Sequence, residues 1–388
     1  MKFVKKNHDD TKYVDGVFAV SNAAKADNNP NKINASAGCL LDDEGKIIAY
    51  KSVYDSESLI DNRKRASYSE GPQGNKAYNT AIENFVLEGK VKGKAISTVG
   101  GTGALSLATN MCLNDGDTIL YPEVSWGNYP LMAKEQNLNI ITYDMYDLDS
   151  LLKKFEELER IFIIINSPCE NPTGHSYSYD EWKKIIDKLN ELNKETIILN
   201  DVAYIDYAYD ADKKKYFELF NSINDNILVM IAYSCSKTFS YYGQRLGALL
   251  VINNDEEFVE NFINQCAKHS RCIWSNVNNS SMINIADVID NHLEEFKKEL
   301  EENVDMLKKR TDLFIKECKD NELEIYPYKE GFFVTVKFSD NSLRDEVHKK
   351  LLENHIYCIK VNKGIRVGVC AASKDKLSGL AKKIKELI

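Results

Sequence analysis

The chain has 388 residues, of which 43% are hydrophobic and 28% are charged, which is enough to bury a large core in more than one domain-sized unit. A net charge of −9 and a pI of about 5.4 argue against nucleic acid or an anionic membrane surface as a partner. No apolar run is long enough to span a bilayer, and none follows the basic start at residues 1–10, so we expect neither a membrane segment nor a signal peptide.

The first 90 residues contain polar turns and one clear helical pattern. We predict an irregular lead-in over residues 15–46, which contains Gly38, and then a turn-rich segment that begins at Tyr68. Either residue has an ordinary explanation, since Gly38 could relieve a turn and Tyr68 could be a surface side chain. The pattern of residues 76–87 predicts a helix.

A glycine cluster follows a short strand that begins near Ala95. Gly101, Thr102 and Gly103 come directly before a run of helix-forming residues. Backbone N–H groups in the first turn of such a helix can bind a phosphate, because glycine lets the anion approach closely. No Gly-Lys-Ser/Thr follows and the glycine spacing is not that of a dinucleotide site, so both of those motifs are excluded.

Polar or aromatic residues follow the next three predicted strands, which we place at residues 118–121, 161–165 and 196–199. Trp126 is either a core residue or a plane that stacks on a flat ring. Asn171 lies in a loop with two prolines, whose peptide bonds are candidates for cis. Asp201, with Tyr204 close behind it, either caps a turn or lies where open α/β sheets bind ligands.

The stretch from Ser234 to Gly247 carries the strongest chemical signal. Lys237 is predicted to lie in a polar turn between buried strands at residues 227–232 and 248–252. A lone lysine in a loop is usually solvated, but here two serines precede it and Arg245 follows. Hydroxyls and a guanidinium suit a phosphate, and an amine beside a phosphate is what an imine of pyridoxal phosphate requires.

The alternation of strands and helices predicts an α/β fold with a mostly parallel central sheet. A long helix, predicted at residues 290–320, leads into short strands and helices. We predict that residues 1–46 join a smaller α+β domain, that residues 47–290 form a large cofactor-binding domain, and that residues 291–388 supply the linking helix and the rest of the smaller domain. The nine cysteines and six histidines show no Cys-x-x-Cys or metal-ligand spacing, so we expect a cytoplasmic enzyme with reduced, mostly buried thiols and no metal.

From about residue 15 to residue 371 the chain resembles the fold-type I pyridoxal-phosphate-dependent aminotransferases of class I/II, in particular the aspartate and aromatic amino acid branch. The resemblance implies that Lys237 carries pyridoxal 5′-phosphate as an imine (Schiff base) and moves the proton, and that Asp201 pairs with the pyridinium nitrogen. It implies two donors to the ring oxygen, Asn171 and Tyr204. The implied phosphate ligands are Gly101, Thr102, Ser234, Arg245 and, from the neighbouring subunit, Tyr68. The implied substrate contacts are Gly38, Trp126, Asn171, Arg366 for the α-carboxylate, and Arg271 across the dimer interface for a side-chain carboxylate.

The sequence departs from that branch near Asp201. The branch usually supports this aspartate with histidines, whereas Tyr129 and Asn166 occupy the matching positions here. The loop after Tyr68 is also one residue longer.

The resemblance implies a homodimer with shared active sites that moves an amino group between aspartate, glutamate or an aromatic amino acid and a 2-oxo acid such as 2-oxoglutarate, in a ping-pong cycle. A carbon–sulfur lyase on the same fold remains an alternative, because the same carbanion can expel a β-substituent. A transcriptional regulator would need an added helix-turn-helix domain, whereas the aminotransferase-like region starts near residue 15, so we expect an enzyme.

Overall fold

The computed structural model describes residues 13–388, so the basic start at residues 1–10 lies outside the described part. The strands are β1 (Ile33–Asn34), β2 (Lys94–Val99), β3 (Thr118–Pro122), β4 (Asn139–Tyr143), β5 (Ile161–Asn166), β6 (Thr196–Asp201), β7 (Ile227–Ser234), β8 (Leu246–Ile252), β9 (Phe333–Lys337), β10 (Ile356–Tyr357), β11 (Ile359–Val361) and β12 (Gly364–Gly368). The helices are α1 (Gly16–Ala26), α2 (Lys51–Ser58), α3 (Asn62–Ala66), α4 (Lys76–Leu87), α5 (Gly100–Cys112), α6 (Asn128–Glu135), α7 (Leu148–Glu157), α8 (Tyr179–Leu192), α9 (Cys235–Thr238), α10 (Glu256–Ile273), α11 (Asn279–Asn291), α12 (Leu293–Asp320), α13 (Asn341–Glu353), α14 (Lys374–Leu377) and α15 (Leu380–Leu387).

A seven-stranded sheet with the order β2-β8-β7-β6-β5-β3-β4 forms the centre of the molecule. Within this sheet β8 runs in the opposite direction to the other six strands, so the predicted mostly parallel α/β fold is confirmed. Residues of β5 alternate between the faces: Phe162 and Ile164 share a core with α5, α6 and α10, whereas Ile163 and Ile165 share one with α4, α8 and α11. Helices on both faces explain why the inner strands are apolar without interruption.

The C-terminal part forms a smaller antiparallel sheet in the order β11-β12-β9. The N-terminal segment joins this part of the chain, because β1 pairs in parallel with β10 through Ile33 and Ile356. The helix α12 connects the two sheets along the chain. The division at residues 46 and 290 stays a prediction.

Three local predictions were wrong. The lead-in over residues 15–46 contains the helix α1, which the Asp15 carboxylate caps by accepting from two backbone N–H groups. The long helix begins at Leu293 instead of residue 290, because the extended φ of His292 (−128°) separates it from α11. Lys237 lies on the four-residue helix α9 instead of in a polar turn.

The structure also shows one peptide geometry and the state of the cysteines. The peptide bond between Ser167 and Pro168 is cis. All nine cysteines are free thiols, and six of them are buried. Within residues 13–388, no group of three or more His, Cys, Asp or Glu side chains is placed to hold a metal ion, and no helix is long and apolar enough to cross a membrane.

Candidate active site

The carboxyl ends of three neighbouring parallel strands bring several of the sequence-predicted residues together. Asn166 ends β5 and lies opposite Asp201, which ends β6, and Asp201 lies opposite Ala232 of β7. The chain continues from β7 through Ser234 into α9, which carries Lys237. A parallel sheet thus places an amide, a carboxylate and an amine at one edge, where such folds bind ligands.

The Lys237 amine contacts two other sequence-predicted residues, Gly38 and Tyr204. Its Nζ donates to the backbone oxygen of Gly38 at 2.8 Å and lies 5.5 Å from the ring centroid of Tyr204. Burial lowers the pKa of Lys237, and the nearby positive charges of Arg366 and Arg245 lower it further, although Cys39 and Cys370 oppose the shift. A lowered pKa increases the neutral fraction of the amine, which is the form that acts as a nucleophile or a base.

Hydrogen bonds with Tyr207 and Asp206 hold the short helix α9, which carries Lys237. The Tyr207 hydroxyl donates to the backbone oxygen of Lys237 at 3.1 Å, and Thr238 donates to the buried Asp206 carboxylate at 2.8 Å. Asp206 in turn lies 3.6 Å from the buried ammonium of Lys214. These contacts hold the chain at Lys237 and Thr238.

The N-terminus of α5 lies close to Ser234 and to Arg245 in the loop after α9, an arrangement that suits an anion. Gly100 has a φ of +68°, and a methyl group added to it would lie 2.4 Å from Nη2 of Arg245. A methyl group on Gly101 would lie 3.0 Å from Cβ of Ser234. The two glycines therefore let the helix terminus, with Thr102 in its first turn, approach a hydroxyl and an exposed guanidinium closely.

The Asp201 carboxylate is buried and held at both oxygens. Oδ2 accepts from the Tyr129 hydroxyl at 2.7 Å, and Oδ1 accepts from the backbone N–H of Ala203 at 3.1 Å. Burial raises the pKa of Asp201, whereas the two hydrogen bonds and the charge of Lys237 act in the opposite direction. Trp126 is half-buried nearby, with its ring edge-on to Tyr129 at 5.7 Å.

A second cation, Arg366, is 4% exposed and lies on the side of the site formed by the smaller sheet. It donates to Oδ1 of Asn171 at 3.0 Å and to the backbone oxygen of Ser36 at 2.9 Å, and its guanidinium lies 4.2 Å from the ring centroid of Phe333. Its buried Nε has no partner among the described residues. A guanidinium held in this way can bind a carboxylate with two parallel hydrogen bonds.

Tyr68 and Arg271 do not join this group. Tyr68 is 87% exposed, and Arg271 is exposed and donates to the hydroxyl of Ser275. A surface pocket of about 420 Å³ is lined by residues 65–68 and 274–279, so Tyr68 lies next to the segment that follows Arg271.

Sequence reasoning missed Phe333 under Arg366 and the carboxyl group of Glu170. Glu170 is 1% exposed, and its Oε2 accepts from the backbone N–H and the hydroxyl of Thr173 at 2.8 and 2.6 Å. Its other oxygen has no partner among the described residues, and burial raises the pKa of Glu170 to about 8. Its position beside Asn171 was the available signal.

Comparisons of the sequence and of the structure with known proteins agree on one family. A family model described as aminotransferase class I and II matches residues 30–384. The structure of an aminotransferase from Anaerococcus prevotii is 32% identical, has a TM-score of 0.93, and is aligned over 100% of this chain and 99% of that one. An aromatic amino acid aminotransferase from Burkholderia pseudomallei, described as covalently bound to pyridoxal phosphate, is 22% identical with a TM-score of 0.80 over 97% of this chain and 98% of that one, and shows the same fold.

Among curated sequences, the cytoplasmic aspartate aminotransferase of Dictyostelium discoideum is 28% identical over 281 residues. This match covers 68% of the chain and 63% of the relative, which is less than two thirds of its length.

Proposed function

The chain belongs to the aminotransferase class I and II family, and from this membership we propose that it transfers an amino group between an L-amino acid and a 2-oxo acid. The family match confirms the resemblance stated from the sequence. The observation that carries the proposal is the buried Lys237 amine, whose charge interacts with both the Arg245 guanidinium and the Asp201 carboxylate.

The residues of the site fit pyridoxal 5′-phosphate, the cofactor that this family uses. The phosphate would be held by the first turn of α5 (Gly101, Thr102), Ser234 and Arg245, where added methyl groups on the glycines would block the approach. Asp201 would hold a proton on the ring nitrogen, and Asn171 and Tyr204 would face the ring oxygen. When bound, the cofactor accepts the amino group and stabilises negative charge at the substrate Cα.

The protein contributes binding, orientation and proton transfer. Arg366 would hold the α-carboxylate, because its guanidinium is already oriented by Asn171 and Phe333. Lys237 would bind the cofactor covalently and, when free, would move the proton at Cα, since its lowered pKa favours the neutral amine. Trp126 would stack on the cofactor ring, and Gly38 would close over the substrate.

We also propose a homodimer in which each subunit completes the other's site. The exposed Tyr68 would contact the neighbour's phosphate group, and Arg271 would bind the side-chain carboxylate of aspartate or glutamate. The exposure of both side chains, and the position of Tyr68 beside residues 274–279 that follow Arg271, support this arrangement. The nine free thiols support a cytoplasmic location.

A panel of amino donors with 2-oxoglutarate tests the proposal. We expect glutamate to form with aspartate or an aromatic amino acid as the donor, without release of ammonia. Ammonia and a 2-oxo acid formed from a β-substituted donor, without glutamate, would instead identify a carbon–sulfur lyase. Neither the family match nor the relatives named above favours that alternative.

A further inference from the structure

Tyr129 contacts both Asp201 and Trp126, which the proposed function places against the cofactor ring. It is fully buried near the start of α6, and its hydroxyl donates to Oδ2 of Asp201 at 2.7 Å. The same ring lies edge-on against Trp126, with centroids 5.7 Å apart and an interplanar angle of 90°. Its backbone N–H also donates to the backbone oxygen of Trp126 at 3.0 Å.

The other contacts of Asp201 leave Oδ2 of its carboxylate to the Tyr129 hydroxyl. The backbone N–H of Ala203 binds only Oδ1, and the Asn166 side chain binds the backbone oxygen of Asp201 at 2.8 Å, not its carboxylate. Tyr129 is therefore the side chain among the described residues that donates to Oδ2. A carboxylate with one fixed oxygen can still rotate, whereas two donors fix its plane.

The donor does not change its protonation state in the physiological pH range. Burial and the adjacent Asp201 charge raise the pKa of Tyr129 well above its usual value, so the hydroxyl keeps its proton. Its hydrogen bond favours the charged carboxylate and lowers the pKa of Asp201, against the larger opposing effect of burial. The other titratable groups around Asp201 are Lys237 on α9, Glu170 in the loop after β5, and Tyr204.

We propose that Tyr129 is the positioning residue of this site: its hydroxyl orients the Asp201 carboxylate and favours its charged form, while its ring holds the Trp126 indole against the cofactor. This inference rests on the proposed function, since both actions matter only if Asp201 and Trp126 contact a bound pyridine ring. A purely structural tyrosine would fill the same space without affecting the cofactor.

Tyr129→Phe distinguishes a positioning role from a purely structural one, because it removes the hydroxyl and keeps the ring against Trp126. A lost hydrogen bond to a charged group should weaken pyridoxal phosphate binding by roughly 10-fold or more, measured as the dissociation constant for the refolded or dialysed enzyme. It should also shift the pH at which the visible absorbance of the substrate-free holoenzyme changes. Tyr129→His should add a pH dependence near neutrality, because imidazole changes its charge there.

Tyr121→Phe is the matched control. Tyr121 is a buried tyrosine whose ring lies 6.2 Å from that of Tyr129, so the control removes a hydroxyl from the same core. We expect it to leave the dissociation constant and the absorbance titration unchanged. If Tyr129→Phe matched the wild type in both measurements, or if the two variants gave equal changes, Tyr129 would be structural. If the wild type itself bound no pyridoxal phosphate, the proposed function would fail before any variant was compared.

Discussion

At the scale of single residues, burial shifts the pKa of Lys237, Asp201 and Glu170 toward the neutral form of each group. Loss of solvation lowers the pKa of Lys237 and raises the pKa of Asp201. Hydrogen bonds or neighbouring charges partly oppose both shifts. In Glu170 burial outweighs the compensation: hydrogen bonds from Thr173 and the charge of Arg366 lower its pKa, but its other oxygen has no partner among the described residues. A measurement of the protonation state of Glu170 therefore tests the structure of the loop that contains Asn171.

Glu170→Gln should remove a pH dependence of stability. The folded protein keeps the Glu170 proton up to a pKa of about 8, whereas an unfolded chain releases it near the ordinary 4.5. The wild type therefore binds more protons when folded across this interval, and its stability falls relative to the Gln variant as pH rises from about 5 to about 8, by roughly 2–4 kcal/mol. Thermal unfolding of both proteins across this range measures the difference.

The exposed Glu44→Gln serves as the control for loss of a negative charge, and we expect its difference from the wild type to stay flat over the same interval. A flat difference for Glu170→Gln as well would mean that Glu170 is ionised in the folded protein.

Individual residues of the candidate site could be predicted from the sequence where they belong to a recognisable motif. Lys237 could be, because serines and Arg245 surround it between two apolar runs. Glu170 and Phe333 could not, because a loop sequence does not say which side chains turn inward, and a strand that is buried on both faces has no alternation to distinguish them.

At the scale of secondary-structure elements, the site depends on the close approach of α5 to the loop after α9. Gly100→Ala should disrupt it, since the new methyl group would lie 2.4 Å from the Arg245 guanidinium and the residue would have a φ of +68°. We expect weaker pyridoxal phosphate binding together with a lower unfolding temperature, because Ala at a positive φ costs on the order of 1 kcal/mol.

Gly89→Ala isolates the backbone cost of that change. Gly89 has a φ of +69° but no atom within 4 Å of an added methyl group. It should lower the unfolding temperature by a similar amount without affecting cofactor binding. Equal cofactor affinities for the two variants would show that the contact between Gly100 and Arg245 does not shape the anion site.

The elements themselves were predictable to different degrees. The periodic segment at residues 76–87 forms α4 with the predicted bounds, and the alternation of strands and helices correctly predicted the mostly parallel sheet. The helix α9 could not be predicted, because four residues contain no helical period. The helix α1 was missed, and its N-terminal cap at Asp15 was the available signal.

At the scale of the whole molecule, the placement of Tyr68 leads to a test of shared sites. Subunits carrying Tyr68→Ala and subunits carrying Lys237→Ala should each be impaired alone. Unfolding and refolding them together should restore about a quarter of the wild-type activity, because half of the dimers are hybrids and each hybrid has one intact site. No gain on mixing, with dimers formed, would place Tyr68 outside the partner's site.

Arg271 is the second residue whose role depends on the assembly. Arg271→Ala should lower kcat/KM for aspartate or glutamate by roughly 100-fold, and much less for phenylalanine or tyrosine, because only the dicarboxylates lose a charged partner. Arg271→Lys keeps the charge but loses the planar geometry, so we expect partial recovery for the dicarboxylates alone. Equal losses for both classes of donor would make Arg271 structural.

The central claim is that Lys237 holds pyridoxal 5′-phosphate covalently. The most direct measurement is to incubate the protein with the cofactor, reduce with borohydride, and map the modified peptide by mass spectrometry. We expect a single pyridoxyl group on Lys237, and no stable modification or visible absorbance band of the bound cofactor in Lys237→Ala. Modification of a different lysine, or an unmodified wild type with the cofactor in excess, would contradict the proposed active site.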